Sequence, residues 1–258
     1  MVSPMKQAKK IKQNYSKTHF GFKDINTSEK TSLVRDVFNS VAPSYDLMND
    51  LMSGGVHRLW KNVLIDRLKP QRNMHLIDVG GGTGDLTFKF LQNGGKNVVI
   101  VDINEEMLKF GRDRALNRGI IKNPIWINGN AEQLPLEDAS FDAYITAFCL
   151  RNVTHLDQAL REAYRLLKPG GHFLCLEFSK VILPALSELY DTYSFKILPL
   201  IGQIVAKDRD SYQYLAESIR RFPPQDAFAS LIAQAGLEQI SYQNLSGGIV
   251  AIHSAWKI

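Results

Sequence analysis

The sequence of 258 residues predicts an α/β protein whose sheet is mostly parallel and carries helices on both faces. From residue 74 onward, short apolar runs alternate with amphipathic runs, a pattern typical of parallel strands that are covered by helices. A glycine-rich turn, "GGGTGD", joins the first apolar run to its helix. The last two runs meet at "NLSGG", a turn so tight that it predicts an antiparallel final strand.

The N-terminal part of the chain is predicted to be helical. Apolar residues at 33, 34, 37 and 38 follow helical spacing, and Pro43 and Gly54-Gly55 interrupt the pattern. We therefore expect residues 19–70 to form a helical cap, although the aromatic stretch "THFGFKDI" near its start is predicted to be irregular. Residues 1–18 carry five lysines and no acid, which predicts a basic, flexible arm outside the domain.

The alternating part of the chain supplies the sheet. Strands are predicted at 74–79, 97–103, 124–130, 141–149, 172–179, 237–245 and 248–257. Helices are predicted at 84–93, 105–118, 155–167 and 225–235. After the fifth strand the alternation stops, and residues 180–222 read as a helical insertion. No linker interrupts residues 19–258, so a single domain is predicted.

Composition and charge narrow the classes of partner. Hydrophobic residues make up 45% of the chain, enough for a substantial core. No apolar run reaches the roughly 18 residues of a membrane-spanning helix. The net charge of +5 comes from the arm, because 31 − 5 leaves 26 basic residues against 26 acidic ones. This balance argues against nucleic-acid binding. The arm is either a solvated tail or a segment steered toward an anionic membrane.

The two cysteines, Cys149 and Cys175, each stand inside an apolar, strand-like run. Free thiols buried in a reducing compartment are the expected state of such residues. No spacing of Cys and His resembles a zinc site, and no metal site is predicted.

The glycine-rich turn does not match either phosphate-binding loop. A P-loop needs a lysine and a hydroxyl residue after its last glycine, and neither is present here. A dinucleotide loop needs a third glycine after Gly80 and Gly82, but Asp85 stands there and would repel a pyrophosphate. S-adenosylmethionine fits better, because backbone N–H groups can hold its carboxylate. Acids such as Asp78 or Asp85 can lie near its positive charges, while Asp78 alternatively stabilises the turn.

Two further elements follow at the ends of the next strands. Asp102 ends the second strand, 22 residues after Gly80, where a carboxylate can accept both ribose hydroxyls of an adenosine. Asn130 and Ala131 follow the third strand, where an amide or a backbone N–H can bond the adenine edge. Since the three elements occur in order at consecutive strand ends, together they predict an adenosine site.

These residues resemble the class I S-adenosylmethionine-dependent methyltransferases, and more narrowly the C-methyltransferases of ubiquinone and menaquinone biosynthesis. The resemblance covers about residues 18–258, and its most specific stretches are "YDLMNDLMS", "HRLW" and "LEFSK". It implies a Rossmann-like fold that binds S-adenosyl-L-methionine. Thr83, Asp102, Asn130 and Ala131 match the family's cofactor contacts, whereas a serine contact of some members is Ala147 here.

The resemblance also implies methyl transfer to a ring carbon of a prenylated quinol. The acceptor is a polyprenylated benzoquinol, a demethylmenaquinol, or both. The ring carbon is a weak nucleophile until a ring hydroxyl loses its proton, so a base, a water relay or a cation is needed. The best candidates are Arg151, which can stabilise the phenolate, and Asn152, which can orient a ring oxygen. Tyr45, in the cap, is a further candidate for substrate contact.

The expected partners follow from that substrate. Apolar and aromatic residues of the insertion, among them Tyr190 and Phe195, can form a pocket for the prenyl tail that opens to a membrane. The resemblance implies a cytoplasmic enzyme peripheral to a bacterial inner membrane, either a homodimer or part of a quinone-synthesis complex. Two alternatives stay open: an NAD-dependent oxidoreductase, and a catalytically silent methyltransferase-like scaffold.

Overall fold

A computed structural model describes residues 17–42, 45–205 and 208–258. The strands are β1 (Lys17–Phe20), β2 (Lys23–Asn26), β3 (His75–Val79), β4 (Asn97–Asp102), β5 (Ile125–Asn128), β6 (Phe141–Ala147), β7 (Leu167–Phe178), β8 (Glu238–Leu245) and β9 (Val250–Trp256). The helices are α1 (Thr27–Val41), α2 (Tyr45–Ser53), α3 (His57–Leu68), α4 (Asp85–Gln92), α5 (Glu105–Asn117), α6 (Leu156–Leu166), α7 (Pro184–Thr192), α8 (Leu198–Val205), α9 (Arg209–Arg221) and α10 (Gln225–Gln234). A π-helical turn, Tyr193–Ile197, joins α7 to α8.

The main sheet has seven strands in the order β5-β4-β3-β6-β7-β9-β8. Strands β3 to β7 pair with one another in parallel, and β9 is antiparallel to both β7 and β8. The mostly parallel α/β fold with an antiparallel C-terminal strand is therefore confirmed. The reversed strand is the final strand of the chain, and it lies one position inside the edge of the sheet, which β8 forms. The strand order changes direction at β3, and open sheets of this kind bind ligands at that point.

Both faces of the sheet are covered, as predicted. Alternate residues of a strand face opposite sides, so Leu76 and Ile77 of β3 enter different apolar clusters. The first cluster includes residues of α1, α3 and α4, and the second includes residues of α6 and α10. The central strands β3, β4 and β6 are thus mostly apolar, and they are buried along most of their length. In the described part of the chain, no helix is long and apolar enough to cross a membrane.

The N-terminal stretch differs from the prediction. Strands β1 and β2 form an antiparallel hairpin, in the region that was expected to be irregular. Lys17 and Thr18, predicted to belong to the flexible arm, are part of β1, and residues 1–16 lie outside the described residues. The turn depends on Gly21 at φ 56°, and the Phe22 N–H donates to the Glu217 carboxylate of α9 at 2.9 Å. This distant contact has no local sequence signal.

Strand β7 also differs from its predicted limits. "KPGG" was expected to end the preceding helix and separate it from a strand at 172, but β7 begins at Leu167. Phe141 pairs with Leu167 and Ala143 pairs with His172, so the extra residues form a bulge within the strand. Gly170, at φ 80°, permits that bulge without breaking the pairing.

Candidate active site

A cleft of about 760 Å³, counted out to open solvent, lies at the carboxyl ends of β3 to β6. The loops that follow these four strands form its walls, and α1 covers it with Thr31, Val34, Arg35 and Phe38. The sequence predicted a helical cap at residues 19–70 but not which residues of α1 face the cleft.

The backbone of the glycine loop packs closely against neighbouring residues because the glycines carry no side chains. Gly80, at φ 67°, donates its N–H to the Val101 carbonyl at 2.7 Å. A Cβ at this position would lie 2.3 Å from the Cys149 Sγ, so no larger residue fits without a shift. Gly80 and Gly82 both line the cleft, as the sequence pattern predicted. The loop thus places backbone atoms in the cleft wall.

Asp102, the last residue of β4, lines the cleft. Its Oδ2 accepts the N–H of Gly82 at 2.9 Å, and its Oδ1 accepts the N–H of Asn104 at 2.8 Å. Burial raises the pKa of this carboxyl to about 6, although those two N–H groups favour the ionised form. The carboxylate is therefore oriented by backbone while it still lines the cleft. A ligand hydroxyl can bond to the lone pairs that remain.

Asn130 and Ala131 also line the cleft, as predicted. The Asn130 Oδ1 accepts the N–H of Glu132 at 3.0 Å, which closes a tight turn after β5. The side-chain oxygen is thus used within the loop, and the Asn130 amide nitrogen is the group that remains to donate. Ala131 presents a small apolar surface on which a flat ring can rest.

Asp78 and Thr83 lie behind the glycine loop rather than in the cleft wall. The Asp78 Oδ2 accepts the hydroxyl of Thr87 at 2.8 Å, and burial raises the pKa of Asp78 to about 7. The Thr83 hydroxyl accepts an N–H of Arg114 at 2.6 Å. Neither side chain is among those that line the cleft. Both support the loop from below, so a direct side-chain contact with a cofactor stays a prediction.

Asp85 does not line the cleft, although one interpretation of the sequence put its carboxylate near the positive charges of the cofactor. Its carboxylate pairs with Lys61 and with Arg114, each at 2.9 Å. Burial opposes ionisation, but these cations hold the pKa of Asp85 well below its usual range. The acid ties α4 to α3 and α5, and it is not free to face the positive charges of a cofactor.

The turn Leu150–Asn152 after β6 carries two predicted catalytic residues. The Arg151 side chain is 3% exposed and pairs with Glu177 of β7, which is 1% exposed, at 2.9 Å. It also donates to the Phe148 carbonyl at 2.5 Å, and it does not line the cleft. Asn152 does line the cleft, and its Oδ1 accepts the hydroxyl of Tyr214 at 3.0 Å.

One predicted residue cannot be placed, and two residues near Arg151 and Asn152 were not predicted from the sequence. Tyr45 begins α2, and its side chain lies outside the part of the chain that the structure describes. Glu177 was not singled out, although an acid in the apolar strand "HFLCLEFS" is a usable signal for a buried partner. Tyr214 was also missed, and nothing in its local sequence marks it, because α9 reaches Asn152 only in the folded chain.

The titratable residues of the described segments do not suggest a metal centre. Among them, no group of three His, Cys, Asp or Glu side chains is placed to hold a metal ion. Cys149 and Cys175 are both free, as predicted.

Comparison with known proteins gives consistent results. A model of the ubiE/COQ5 methyltransferase family matches residues 25–257. The ubiquinone/menaquinone biosynthesis C-methyltransferase UbiE of Brucella abortus is 53% identical over 93% of this chain and 90% of its own length. The mitochondrial 2-methoxy-6-polyprenyl-1,4-benzoquinol methylase of Dictyostelium discoideum is 49% identical, over 93% of this chain and 86% of its own.

Among solved structures, a SAM-dependent methyltransferase of Thermotoga maritima has a similar fold. The two share a TM-score of 0.64 and 20% sequence identity, over 87% of this chain and all of the other. That likeness supports the class I methyltransferase fold. It carries no information about the acceptor.

Proposed function

Because the chain belongs to the ubiE/COQ5 methyltransferase family, we propose that it transfers a methyl group from S-adenosylmethionine to a ring carbon of a prenylated quinol. The acceptor is a polyprenylated benzoquinol, a demethylmenaquinol, or both. The observation that carries this proposal is the 53% identity to a C-methyltransferase over 93% of the chain. The cleft geometry supports it independently.

The groups that line the cleft fit the adenosine of S-adenosylmethionine. Asp102 is an oriented acceptor for two ribose hydroxyls, and Asn130 with Ala131 offers an amide donor and an apolar surface to the adenine. The Gly80 and Gly82 backbone lies where the amino-acid end of the cofactor would meet it. Asp78 and Thr83 act on this end through the loop that they support. The Asp102 carboxylate would face the ribose. Because it is negatively charged, it would not attract a phosphate group.

Methyl transfer to carbon needs an oriented acceptor ring. When bound, S-adenosylmethionine supplies an electrophilic methyl group on a sulfonium. Asn152 lies on the cleft wall with its Oδ1 held by Tyr214. Its Nδ2 donates one N–H to the Phe148 carbonyl at 3.4 Å, and the second N–H can donate to a ring oxygen. Arg151 is paired with Glu177 behind Asn152, so it can hold the turn that carries Asn152 in place. Tyr45, in the predicted cap, is assigned to substrate contact on the resemblance alone.

The prenyl tail needs an apolar surface outside the cleft. Leu189, Ile197, Leu200 and Ile204 recur along the α7–α8 segment and are exposed, Leu189 at 70% and Ile204 at 79%. Exposed apolar side chains at helical spacing are typical of surfaces that meet lipid or a long hydrocarbon. They support the proposal that the tail, and the membrane from which it comes, lie against the insertion.

A pair of measurements tests this function. Calorimetric titration with S-adenosylhomocysteine and with NAD identifies the nucleotide; we expect S-adenosylhomocysteine to bind, and binding of NAD alone would favour the oxidoreductase. Incubation with deuteromethyl-labelled S-adenosylmethionine and either quinol, followed by mass spectrometry, identifies the acceptor. We expect a labelled ring methyl group on at least one quinol. A protein that binds S-adenosylhomocysteine but labels neither quinol would be the scaffold instead.

A further inference from the structure

Phe148, the first residue after β6, has a backbone conformation that is unusual for its type. Its φ is 58°, in the left-handed region that favours glycine. Its N–H donates to the Leu176 carbonyl of β7 at 2.9 Å, which holds the chain in place. Backbone strain of this kind persists only where other contacts impose it, and it is concentrated at ligand sites. The strain therefore points to a function for this residue.

Phe148 and the Asn152 amide belong to one turn. The Phe148 carbonyl accepts an N–H of the Asn152 side chain at 3.4 Å and an N–H of the Arg151 side chain at 2.5 Å. Phe148 and Asn152 both line the cleft. Because the carbonyl of Phe148 bonds to the Asn152 side chain, the two residues lie at the same end of the cleft.

Two further aromatic rings hold the ring of Phe148. Its centroid lies 4.8 Å from that of Phe178 and 6.4 Å from that of Trp60. The Trp60 and Phe178 rings are 6.2 Å apart with an interplanar angle of 85°, and the Trp60 Nε1 donates to the Ser246 Oγ at 2.9 Å. Phe178 is the last residue of β7, so this aromatic cluster lies at the carboxyl ends of β6 and β7.

The aromatic cluster reaches the cleft wall through Phe148. Of the three residues, Phe148 is the one that lines the cleft, and it belongs to the first apolar cluster of the core. Val34 and Phe38 of α1 also line the cleft, and they lie in or against that same apolar cluster. This side of the cleft is therefore apolar and partly aromatic. It adjoins the ends of β6 and β7, which the proposed adenosine site after β4 and β5 leaves free.

We propose that the Phe148 ring is the wall against which the aromatic ring of the acceptor packs, and that it gives the enzyme a preference for an aromatic acceptor. This proposal rests on the proposed function. Aromatic rings pair in offset or edge-to-face arrangements with centroids about 4.5–7 Å apart, as the rings of the aromatic cluster already do. The Phe148 ring sets the plane of the acceptor ring, while the second N–H of Asn152 bonds to its oxygen. The two contacts together hold the ring carbon in line with the methyl group.

A contact with the cofactor is the other role that an aromatic ring can have here. The face of an aromatic ring attracts cations, and the sulfonium of S-adenosylmethionine is a cation. A ring that meets the sulfonium favours S-adenosylmethionine over the neutral S-adenosylhomocysteine. A ring that meets the acceptor leaves that ratio unchanged and distinguishes an aromatic acceptor ring from a saturated one. The bond between Phe148 and Asn152 favours the acceptor role, because the remaining Asn152 N–H can donate to a ring oxygen.

The preference for an aromatic ring is measured in the complex with S-adenosylhomocysteine, where no reaction occurs. Calorimetry gives the dissociation constants of a quinol with one prenyl unit and of the matching prenylated cyclohexanediol, which has no aromatic face. An aromatic pair changes a dissociation constant by about 2- to 13-fold. We expect wild type to prefer the quinol and Phe148→Leu to reduce that preference about fivefold. In Phe148→Leu the KM for the quinol should rise about fivefold, while the affinities for S-adenosylmethionine and S-adenosylhomocysteine should change less than about twofold.

Phe228→Leu is the matched control. Phe228 is buried and its ring centroid lies 4.9 Å from that of Phe222, but it belongs to the second apolar cluster, on the other face of the sheet. The two substitutions remove the same aromatic packing from the core, so Phe228→Leu should keep the wild-type preference for the quinol.

The outcomes separate the proposal from its alternatives. An unchanged preference for the quinol in Phe148→Leu, or a loss of affinity for S-adenosylmethionine but not for S-adenosylhomocysteine, would overturn the proposal. If Phe148→Leu does not fold, pentafluorophenylalanine at position 148 decides, because it keeps the shape of the ring and reverses its quadrupole. A changed preference then supports the aromatic wall, and an unchanged preference overturns it. A wild-type protein that binds S-adenosylhomocysteine but methylates no quinol fails the proposed function instead.

Discussion

The proposed cofactor half and the proposed acceptor half of the cleft are built differently. The cofactor half, the loops after β3, β4 and β5, is closed by short-range bonds: Asp102 accepts N–H groups 2 and 20 residues away. The proposed acceptor half, the turn after β6 with α9 and the β1–β2 hairpin behind it, is held by distant ones. Tyr214 reaches Asn152 across 62 residues, and Phe22 reaches Glu217 across 195.

That difference explains why the residues of one half could be predicted from the sequence and those of the other half could not. A loop closed by its own neighbours must carry its glycines and acids at fixed spacings, and such spacings form a motif. A wall assembled from distant segments leaves no spacing to detect, because each segment contributes one side chain. The same difference predicts two classes of variant. Changes in the cofactor half should alter cofactor affinity, and changes in the acceptor half should alter kcat or stability at constant cofactor affinity.

The largest effect is expected at the Arg151–Glu177 pair. Removal of one partner, as in Arg151→Met or Glu177→Gln, leaves a buried group uncompensated and should lower the free energy of unfolding by about 3–5 kcal/mol. The double variant Arg151→Met/Glu177→Met should recover much of this loss. Among molecules that remain folded, cofactor affinity should persist and kcat should fall. Urea denaturation and S-adenosylhomocysteine titration measure the two quantities.

An exposed ion pair provides the control for that result. Arg161 and Asp157 are also paired, but their side chains are 59% and 58% exposed, so Arg161→Ala should change the unfolding free energy by only about 0–1 kcal/mol. A loss of similar size in Arg151→Met would show that the buried pair contributes no more than a surface pair. A collapse of cofactor affinity in the folded variants would place Arg151 in the cofactor half and break the comparison.

The next largest effect is expected at Gly80, in the cofactor half. In Gly80→Ala, the positive φ costs about 1–2 kcal/mol and the contact with Cys149 adds about 1–3 kcal/mol. We expect the unfolding free energy to fall by that sum and cofactor affinity to fall more than tenfold. Gly119→Ala is the control, because Gly119 has φ 72° but a Cβ added there would meet nothing within 4 Å. Equal losses in both variants would mean that the close approach to Cys149 is unimportant.

These cases show how far the sequence predicts the molecule. The alternation of the sheet and the position of Asp102 could be predicted, since both depend on local patterns. The environment of Arg151 could not, because the sequence shows a cation after β6 but not the acid of β7 that neutralises it. Lys30 of α1 shows the reverse: one lysine in an amphipathic helix is expected at the surface, and only packing reveals that it is buried.

A smaller effect is expected at Asp102. Asp102→Ala should raise the dissociation constant of the cofactor at least tenfold, about 1.4 kcal/mol, because the ribose loses its acceptor. The pKa of about 6 adds a pH test. As pH falls from 7.5 to 5 the carboxylate takes up a proton and loses acceptor capacity, so affinity should fall in wild type and stay level in Asp102→Asn. Glu106→Ala, at an exposed acid of α5, should match wild type; an Asp102→Ala protein that also does so would remove Asp102 from the site.

The smallest effect is expected at Tyr214, and it tests the acceptor half most directly. Tyr214→Phe removes the bond to the Asn152 Oδ1 but keeps the ring that stacks on Phe20, with centroids 4.0 Å apart. One neutral hydrogen bond contributes about 1 kcal/mol, so the Asn152 amide should lose part of its orientation and kcat should fall about fivefold. Cofactor affinity should not change. Tyr242→Phe is the matched control, because it removes a hydroxyl bond to Asp226 at 2.7 Å on the protein surface. If Tyr214→Phe instead weakened cofactor binding at constant kcat, α9 would belong to the cofactor half, and the division between short-range and long-range closure would not follow function.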